Sequence, residues 1–315
     1  MKNKKQKLVI IAGPTAVGKS KFAILLAKRI NGEIICADST TVYRRLNIGS
    51  AKVKKEEMLG VKHYLIDVAD INENYDITRF KKDAASAISE ISAKGKIPII
   101  VGGSGFYIQA VLYDIDFTDE DEEEKIKIRN RLEKIVNDNG KAKGAEILFN
   151  MLKKVDPLSC KIIEKNNIKR VIRALEFYEL HKAPISEHNE KERKKKSKYD
   201  YRFYCLSVNR DILYDNINRR VDKMIEDGLV DEIKCLIKNG AKKESDAMQS
   251  IGYKELYDYV ESGIDDNTKL TECIESIKQN SRHYAKRQIT WFKNKSDAKW
   301  IDMEKYLNEL ASYKE

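Results

Sequence analysis

Cysteine is sparse in this 315-residue chain and forms no pattern. Cys36, Cys160, Cys205, Cys235 and Cys273 are odd in number and include no CxxC pair. That excludes a disulfide framework or a zinc site as the organising principle and fits a reducing, cytoplasmic compartment. The four histidines, His63, His181, His188 and His283, show no metal-ligand spacing, so a structural role is expected of each. Long apolar runs are missing too. Leu8–Ala12 and Ile97–Val101 fall far short of the ~20 residues that span a bilayer, and no membrane segment is expected. Lys2–Lys7 ahead of Leu8–Ala12 has the outline of a signal peptide, but the apolar run is too short and is cut by Gly13-Pro14.

What is present is charge. Charged residues make up 35% of the chain, and 60 Lys+Arg against 50 Asp+Glu give a net +10. An apolar content of 42% still supplies a sizeable core. At about 100–200 residues per domain, the length suggests one large domain or two modest ones. The basic balance points toward a polyanionic partner such as nucleic acid. A Lys-rich enzyme without that role would read the same.

The first hundred residues alternate strand and helix signals. Leu8-Val9-Ile10-Ile11 is wholly apolar and ends at Gly13, as a strand buried on both faces does. Lys19–Ile30 carries Phe22, Leu25, Leu26 and Ile30 at helical spacing. Glu33–Ala37 reads as a second buried strand ending at Asp38, and Tyr64–Asp67 as a third. Thr78–Ala93 is helical, with Phe80, Ala84, Ala87, Ile88 and Ile91 on one stripe. Ile97–Val101 is a strand running into Gly102-Gly103. Such alternation predicts βαβ units and a parallel α/β sheet. The character then changes. Asp116–Glu124 is an acidic run, and Ile126–Ile135 and Ile168–Leu180 read as helices. Glu190–Lys198 is charged throughout and reads as a solvated linker. Tyr201–Val208 returns to a strand pattern, and helices rich in Lys and Arg follow. Residues 116–199 are therefore expected to be a helical insertion into an α/β core made of 1–115 and 200–315. No internal repeat is visible.

Gly13-Pro14-Thr15-Ala16-Val17-Gly18-Lys19-Ser20 fits GxxxxGK[ST] at every fixed position, with a strand before it and a helix after it. Its glycines let backbone amides wrap phosphate oxygens, and the helix N-terminus adds positive charge. Lys19 can reach the distal phosphate, and Ser20 can hold a Mg2+ ion. The motif specifies a di- or triphosphate with Mg2+, but neither a nucleotide nor a reaction. Asp38, at the carboxyl end of a strand, reads equally as a Walker-B-like helper of the metal or as a general base. Asp67 is a second Walker-B candidate. Gly102-Gly103-Ser104-Gly105 follows another strand at that edge. Its glycines permit close backbone approach, and Ser104 offers a hydroxyl; the plain alternative is a tight turn.

Together these segments resemble the tRNA dimethylallyltransferases (tRNA isopentenyltransferases) from about residue 8 to 292. The resemblance runs through the P-loop, Asp38–Arg44, Ile48–Lys52, His63–Asp67, Tyr75–Phe80 and Gly102–Tyr107. It continues through Asp156-Pro157, Arg170–Glu176, Arg219–Met224, Gln249–Glu255 and Tyr284–Phe292. Four departures stand out. Ser104 replaces the usual Thr, Thr41 a frequent Gln, Lys169 a frequent Gln, and Asn166-Asn167-Ile168 a usual Asn-Asp step. The Thr41 change puts one direct base contact in doubt.

The resemblance implies a P-loop NTPase-like parallel sheet flanked by helices, with a helical insertion. It implies transfer of the dimethylallyl group from dimethylallyl diphosphate to N6 of adenosine 37, beside the anticodon of tRNAs reading codons that begin with U. Gly13, Pro14, Thr15, Ala16, Val17, Gly18, Lys19 and Ser20 would then hold the donor diphosphate rather than ATP, with Mg2+ on Ser20. Asp38 would take the amine proton, and Ser104 would bond the departing oxygen. Contacts to the tRNA anticodon loop are implied for Asp38, Ser39, Thr40, Thr41, Ser104, Arg129, Lys169, Arg170, Val171, Ile172 and Arg173. Arg282, Lys286 and Arg287 are further basic candidates, and the plain alternative for each is a solvated helix face. A cytoplasmic monomer that binds tRNA and no membrane is expected. The rival readings are a prenyltransferase of free adenosine phosphates, a small-molecule P-loop kinase using ATP, and a nucleotide-switch or RNA-binding module.

Overall fold

The computed structural model describes residues 5–116 and 122–306. Residues 2–4 of the basic leader and 117–121 of the acidic run lie outside them. The chain divides into two compact units, Met1–Leu112 with Lys198–Glu315, and Tyr113–Ser197.

The first unit is built on a six-stranded parallel sheet. Its elements are β1 (Lys7–Ala12), α1 (Lys19–Ile30), β2 (Gly32–Ala37), β3 (His63–Tyr64), α2 (Ile77–Ala93), β4 (Ile97–Gly102) and α3 (Gly105–Leu112). After the insertion come β5 (Asp200–Ser207), α8 (Arg210–Glu226), α9 (Leu229–Lys238), α10 (Tyr253–Ser262), α11 (Asn267–Lys295) and β6 (Lys299–Asp302). The strand order is β3-β2-β4-β1-β5-β6. The apolar runs read from the sequence are the central strands, with Leu8, Ile10, Ile11, Ile34, Ile35, Ile99 and Ile100 all buried. The stripe read on α2 is its buried face, and the Asp76 carboxylate caps its first turn by accepting from Arg79 N at 2.8 Å.

Two expectations change. The third strand is only His63–Tyr64, because Leu65 and Asp67 adopt left-handed backbone (φ 61° and 56°) and leave the sheet. The charged stretch 190–198 is not all linker, since helix continues through it as far as Arg193. β6, a short edge strand, gave no clear signal in the sequence.

The second unit is helical: α4 (Glu122–Asn139), α5 (Lys141–Val155), α6 (Ile168–His181) and α7 (Ile185–Arg193). Its core gathers Ile128, Leu132, Leu148, Leu152, Val171, Ile172 and Leu175. The buried Asp156 ties the α5 end to the α7 start, accepting from the Ser159 and Ser186 amides (both 3.0 Å) and their hydroxyls (2.7 and 2.6 Å). Those hydrogen bonds hold its carboxyl below the usual range against the opposing effect of burial. Among the described residues, no helix is long and apolar enough to cross a membrane.

Candidate active site

Three loops leave the carboxyl edge of the sheet side by side. Ala12 of β1 and Ala37 of β2 both stand in register with Gly102 of β4. The P-loop, Asp38 and Ser104 are thereby brought together, as an open parallel sheet places its ligand crevice.

The P-loop turns through positive φ at Gly13 (145°), Ala16 (62°) and Gly18 (90°). A Cβ on Gly13 would lie 2.7 Å from the Leu206 carbonyl. α1 starts at Gly18 without a side-chain cap, so its first amides face the loop, the arrangement that suits an anion. Lys19 Nζ donates to Pro14 O at 2.6 Å. Burial pulls its ammonium down to about 8, the nearby Arg220 charge adds to this, and Asp38 opposes it.

The second glycine loop serves close approach, and what approaches is protein. A Cβ on Gly102 would meet Ala37 O at 2.0 Å, one on Gly103 the Gln288 amide nitrogen at 2.0 Å, and one on Gly105 the Trp291 ring at 2.2 Å. Gln288, buried on α11, clamps the two loops. Its Oε1 accepts from Thr15 N at 2.8 Å, and its Nε2 donates to Gly103 O at 3.1 Å. One turn earlier, burial pushes the Tyr284 phenol up to about 12, the Asp38 charge adding to this and the neighbouring Ser104 and Gln288 side chains opposing it.

Two cavities adjoin these loops among the described residues. One, of about 290 Å³, is lined by Ser39, Thr40, Gln249, Ser250 and Arg287 together with apolar residues of α8. The other, of about 110 Å³, holds Lys19 and Ser20 against Ile34, Val53, Ile66 and Val101. Thr15, Asp38, Ser50, Arg220 and Tyr284 line both. Asp38 Oδ1 accepts from Thr40 N at 2.9 Å and Thr40 Oγ1 at 2.6 Å, while Oδ2 accepts no hydrogen bond from the described residues. Arg220 donates to Thr15 Oγ1 at 3.3 Å and Ser50 O at 3.5 Å. Burial lowers its guanidinium and the Asp38 charge works against that. Thr41 Oγ1 is buried beside the smaller cavity and has no partner among the described residues.

Asp67 is not part of this site. It lines neither cavity and pairs with Lys52 Nζ at 2.6 Å, because the chain has already turned out of the sheet. Arg220, Tyr284, Gln288 and Ser50 were missed as site residues. One signal was available: Gln288 sits among Ile277, Ala285 and Phe292 on the buried stripe of α11, where a polar residue needs partners.

The RNA candidates divide. In the insertion, Lys169 and Arg170 are exposed at the start of α6. Arg129 and Arg173 both pair with the fully buried Glu176, at 2.8 and 2.5 Å. Val171 and Ile172 are core residues, 0% and 5% exposed, so their side chains offer RNA no surface; the helical period turns them inward between the basic positions. On α11, Lys286 and Arg287 are exposed, Arg287 lines the larger cavity, and Arg282 donates to Asn218 Oδ1 at 2.6 Å.

Residues 41–295 match the family model of the IPP transferases. The chain belongs to that family. It is 48% identical over 306 residues to a tRNA dimethylallyltransferase of Lachnoclostridium phytofermentans, covering 97% of this chain and 95% of the relative. A tRNA dimethylallyltransferase of Halalkalibacterium halodurans is 45% identical, over 95% and 92% of the two chains. The crystal structure of a tRNA isopentenylpyrophosphate transferase from Bacillus halodurans superposes with a TM-score of 0.68 at 42% identity, covering 98% of this chain and 95% of that one. A eukaryotic dimethylallyltransferase captured acting on tRNA superposes with a TM-score of 0.76 at 31% identity, covering 94% and 74%. The family is one of prenyltransferases with a P-loop NTPase-like fold, and this chain is such an enzyme.

Proposed function

We propose that the enzyme moves the dimethylallyl group of dimethylallyl diphosphate to N6 of adenosine 37 in tRNAs reading codons that begin with U, releasing pyrophosphate. The observation that carries this reading is the shared wall of the two cavities. Alkyl transfer needs a departing diphosphate and an incoming amine on opposite sides of one carbon. The smaller cavity offers Lys19, Arg220 and the P-loop amides to the diphosphate, and Ile34, Val53, Ile66 and Val101 to an apolar five-carbon tail. The larger offers polar edges to a purine. Asp38 stands where they meet.

An adenine amine is a weak nucleophile because its lone pair is delocalised into the ring. As the N6–C1 bond forms, the C1–O bond breaks and its electron pair leaves on the diphosphate. The N6 proton passes to Asp38, whose Oδ2 is open while Thr40 fixes Oδ1. Lys19 and Arg220 stabilise the charge on the departing oxygen. Ser104 lines neither cavity itself but lies beside Tyr284, which lines both, and is assigned the hydrogen bond to that oxygen on the family resemblance. Ser20 supplies a hard oxygen in the donor cavity, and among the described residues no His/Cys/Asp/Glu cluster would hold a metal by itself. That donor set suits a Mg2+ ion carried in on the diphosphate, where it would neutralise charge on the leaving group.

Reaching N6 requires the base to be extruded, at a cost of a few kcal/mol that is smaller in a loop than in a duplex. Backbone contacts from Arg129, Lys169, Arg170 and Arg173, and from Arg282, Lys286 and Arg287, help offset it. The enzyme acts as a cytoplasmic monomer.

The test is mass spectrometry of nucleosides after incubation with dimethylallyl diphosphate and unmodified tRNA. One adenosine gains a C5H8 unit. Incorporation into free AMP but not tRNA, or phosphate transfer from ATP, would replace this reading.

A further inference from the structure

Residues 46–52 wall both cavities through Ser50, with Gly49 in the larger and Ala51 in the smaller. Three successive amides of this loop point at one carboxylate. Asn47 N donates to Glu232 Oε2 at 3.0 Å. Ile48 N donates to Oε2 at 2.9 Å and Oε1 at 3.1 Å, and Gly49 N to Oε1 at 3.3 Å. A run of amides turned inward like this is a concave anion site, and here α9 supplies the anion. Tyr253, at the start of α10, donates its hydroxyl to Glu232 Oε1 at 2.7 Å. Its buried ring fills the space beside Gly49, where a Cβ would meet it at 2.5 Å. Burial and the Glu232 charge hold the phenol well above its ordinary range, which keeps it a donor. The next carbonyl in the loop, Ser50 O, accepts from Arg220. Neither Glu232 nor Tyr253 lines either of these two cavities.

We infer that Glu232, locked by Tyr253, is a positioning residue for the transfer: it fixes the 47–50 backbone so that the Ser50 carbonyl holds the Arg220 guanidinium at the wall between the two cavities. The inference rests on the reading of Arg220 as a diphosphate ligand. A carboxylate gathering three amides orders the loop before substrate arrives, so less binding energy is lost in arranging it. Glu232 acts on the donor through Arg220 and itself lines neither of the two cavities.

The experiment measures KM for dimethylallyl diphosphate and for tRNA, with thermal midpoints, in E232Q, E232A and Y253F, and in R220K and R220A alongside. Loss of charge-assisted hydrogen bonds predicts a donor KM raised about tenfold or more in E232Q. The tRNA KM stays within about twofold, the thermal midpoint falls by a few degrees as the loop amides lose their acceptor, and Y253F shows a smaller effect of the same kind. Added formate recovers part of the donor affinity in E232A by occupying the vacated amides, and does nothing for wild type. An unchanged donor KM in E232Q and E232A overturns the inference. So does an equal rise in both KM values with a fallen thermal midpoint and no formate recovery. If R220A and R220K also leave the donor KM unchanged, the Arg220 reading itself fails. If they raise it while the Glu232 variants do not, only the Glu232 inference fails.

Discussion

The backbone amide of Thr15 and the side chain of Gln288 meet at 2.8 Å across 273 residues of sequence. The far end of the same side chain holds Gly103 O, so one buried amide fixes the spacing between the P-loop and the Ser104 loop. In the proposed reaction, the distance between these loops sets where a diphosphate would leave relative to the Ser104 hydroxyl. On that reading Gln288 is a positioning residue, although it offers no charge and no nucleophile.

Gln288→Leu is expected to leave the Thr15 amide and the Gly103 carbonyl without partners. Each buried orphan costs about 1–3 kcal/mol. A thermal midpoint lowered by several degrees, with turnover reduced at saturating donor, is the expected result of melting curves and steady-state assays. Gln288→Glu should also lose activity, because a carboxylate cannot donate to the Gly103 carbonyl.

Asp38→Asn keeps the shape of the site and removes the proposed proton acceptor. A positioned base contributes about 10²–10⁴-fold. Single-turnover rates should fall within that range, while the affinity for dimethylallyl diphosphate measured by calorimetry stays close to wild type. Turnover that survives the change would move the base to another residue.

Lys19 gives two pH dependences of opposite sign. Its pKa falls from an ordinary 10.5 to about 8 in the folded protein. Between those values the unfolded chain binds more protons than the folded one, so stability without donor rises as pH climbs from about 8 toward 10.5. The penalty for burying the charge returns in full below about 8. Affinity for the diphosphate moves the other way, because neutral Lys19 offers the anion no charge. Denaturant titrations and donor-binding isotherms over this window should cross, and in Lys19→Met both slopes should flatten.

In the insertion, neighbouring residues on α6 should separate by readout. Lys169→Ala and Arg170→Ala are expected to weaken tRNA binding and to reduce the dependence of log K on log salt by about 0.7–0.9 for each phosphate no longer neutralised. Val171→Ala should leave that slope alone and instead lower stability by roughly 1–2 kcal/mol, since it trims a fully buried side chain. Filter binding across a salt series, with melting curves, checks both.

Short-range pattern decided much of this protein. The P-loop lies within eight consecutive residues between an apolar strand and an amphipathic helix, and Asp38 directly follows β2, so strand, loop and chemistry could be read together. Helices at Ile126–Ile135 and Ile168–Leu180 were legible from periodicity, whereas the end of α7 was hidden in a charged run that read as linker. The third strand was overread, because apolar Tyr64-Leu65-Ile66 looks extended while the left-handed turns at Leu65 and Asp67 depend on where Lys52 anchors the loop.

Tertiary structure alone assigned the remaining site residues. Helical periodicity shows which face of α8 or α11 is covered and never what covers it, so Arg219 and Arg220 look alike in sequence. Folding leaves Arg219 at the surface with Asp215 and carries Arg220 to the wall of both cavities. Gln288, Tyr284 and Glu232 acquire their roles from loops about 180 residues or more earlier, and pairings of that span leave no local pattern. The chain's own order prescribed its strands, its phosphate loop and its carboxylate; the packing of distant helices against the sheet edge decided which neutral and basic side chains complete the site.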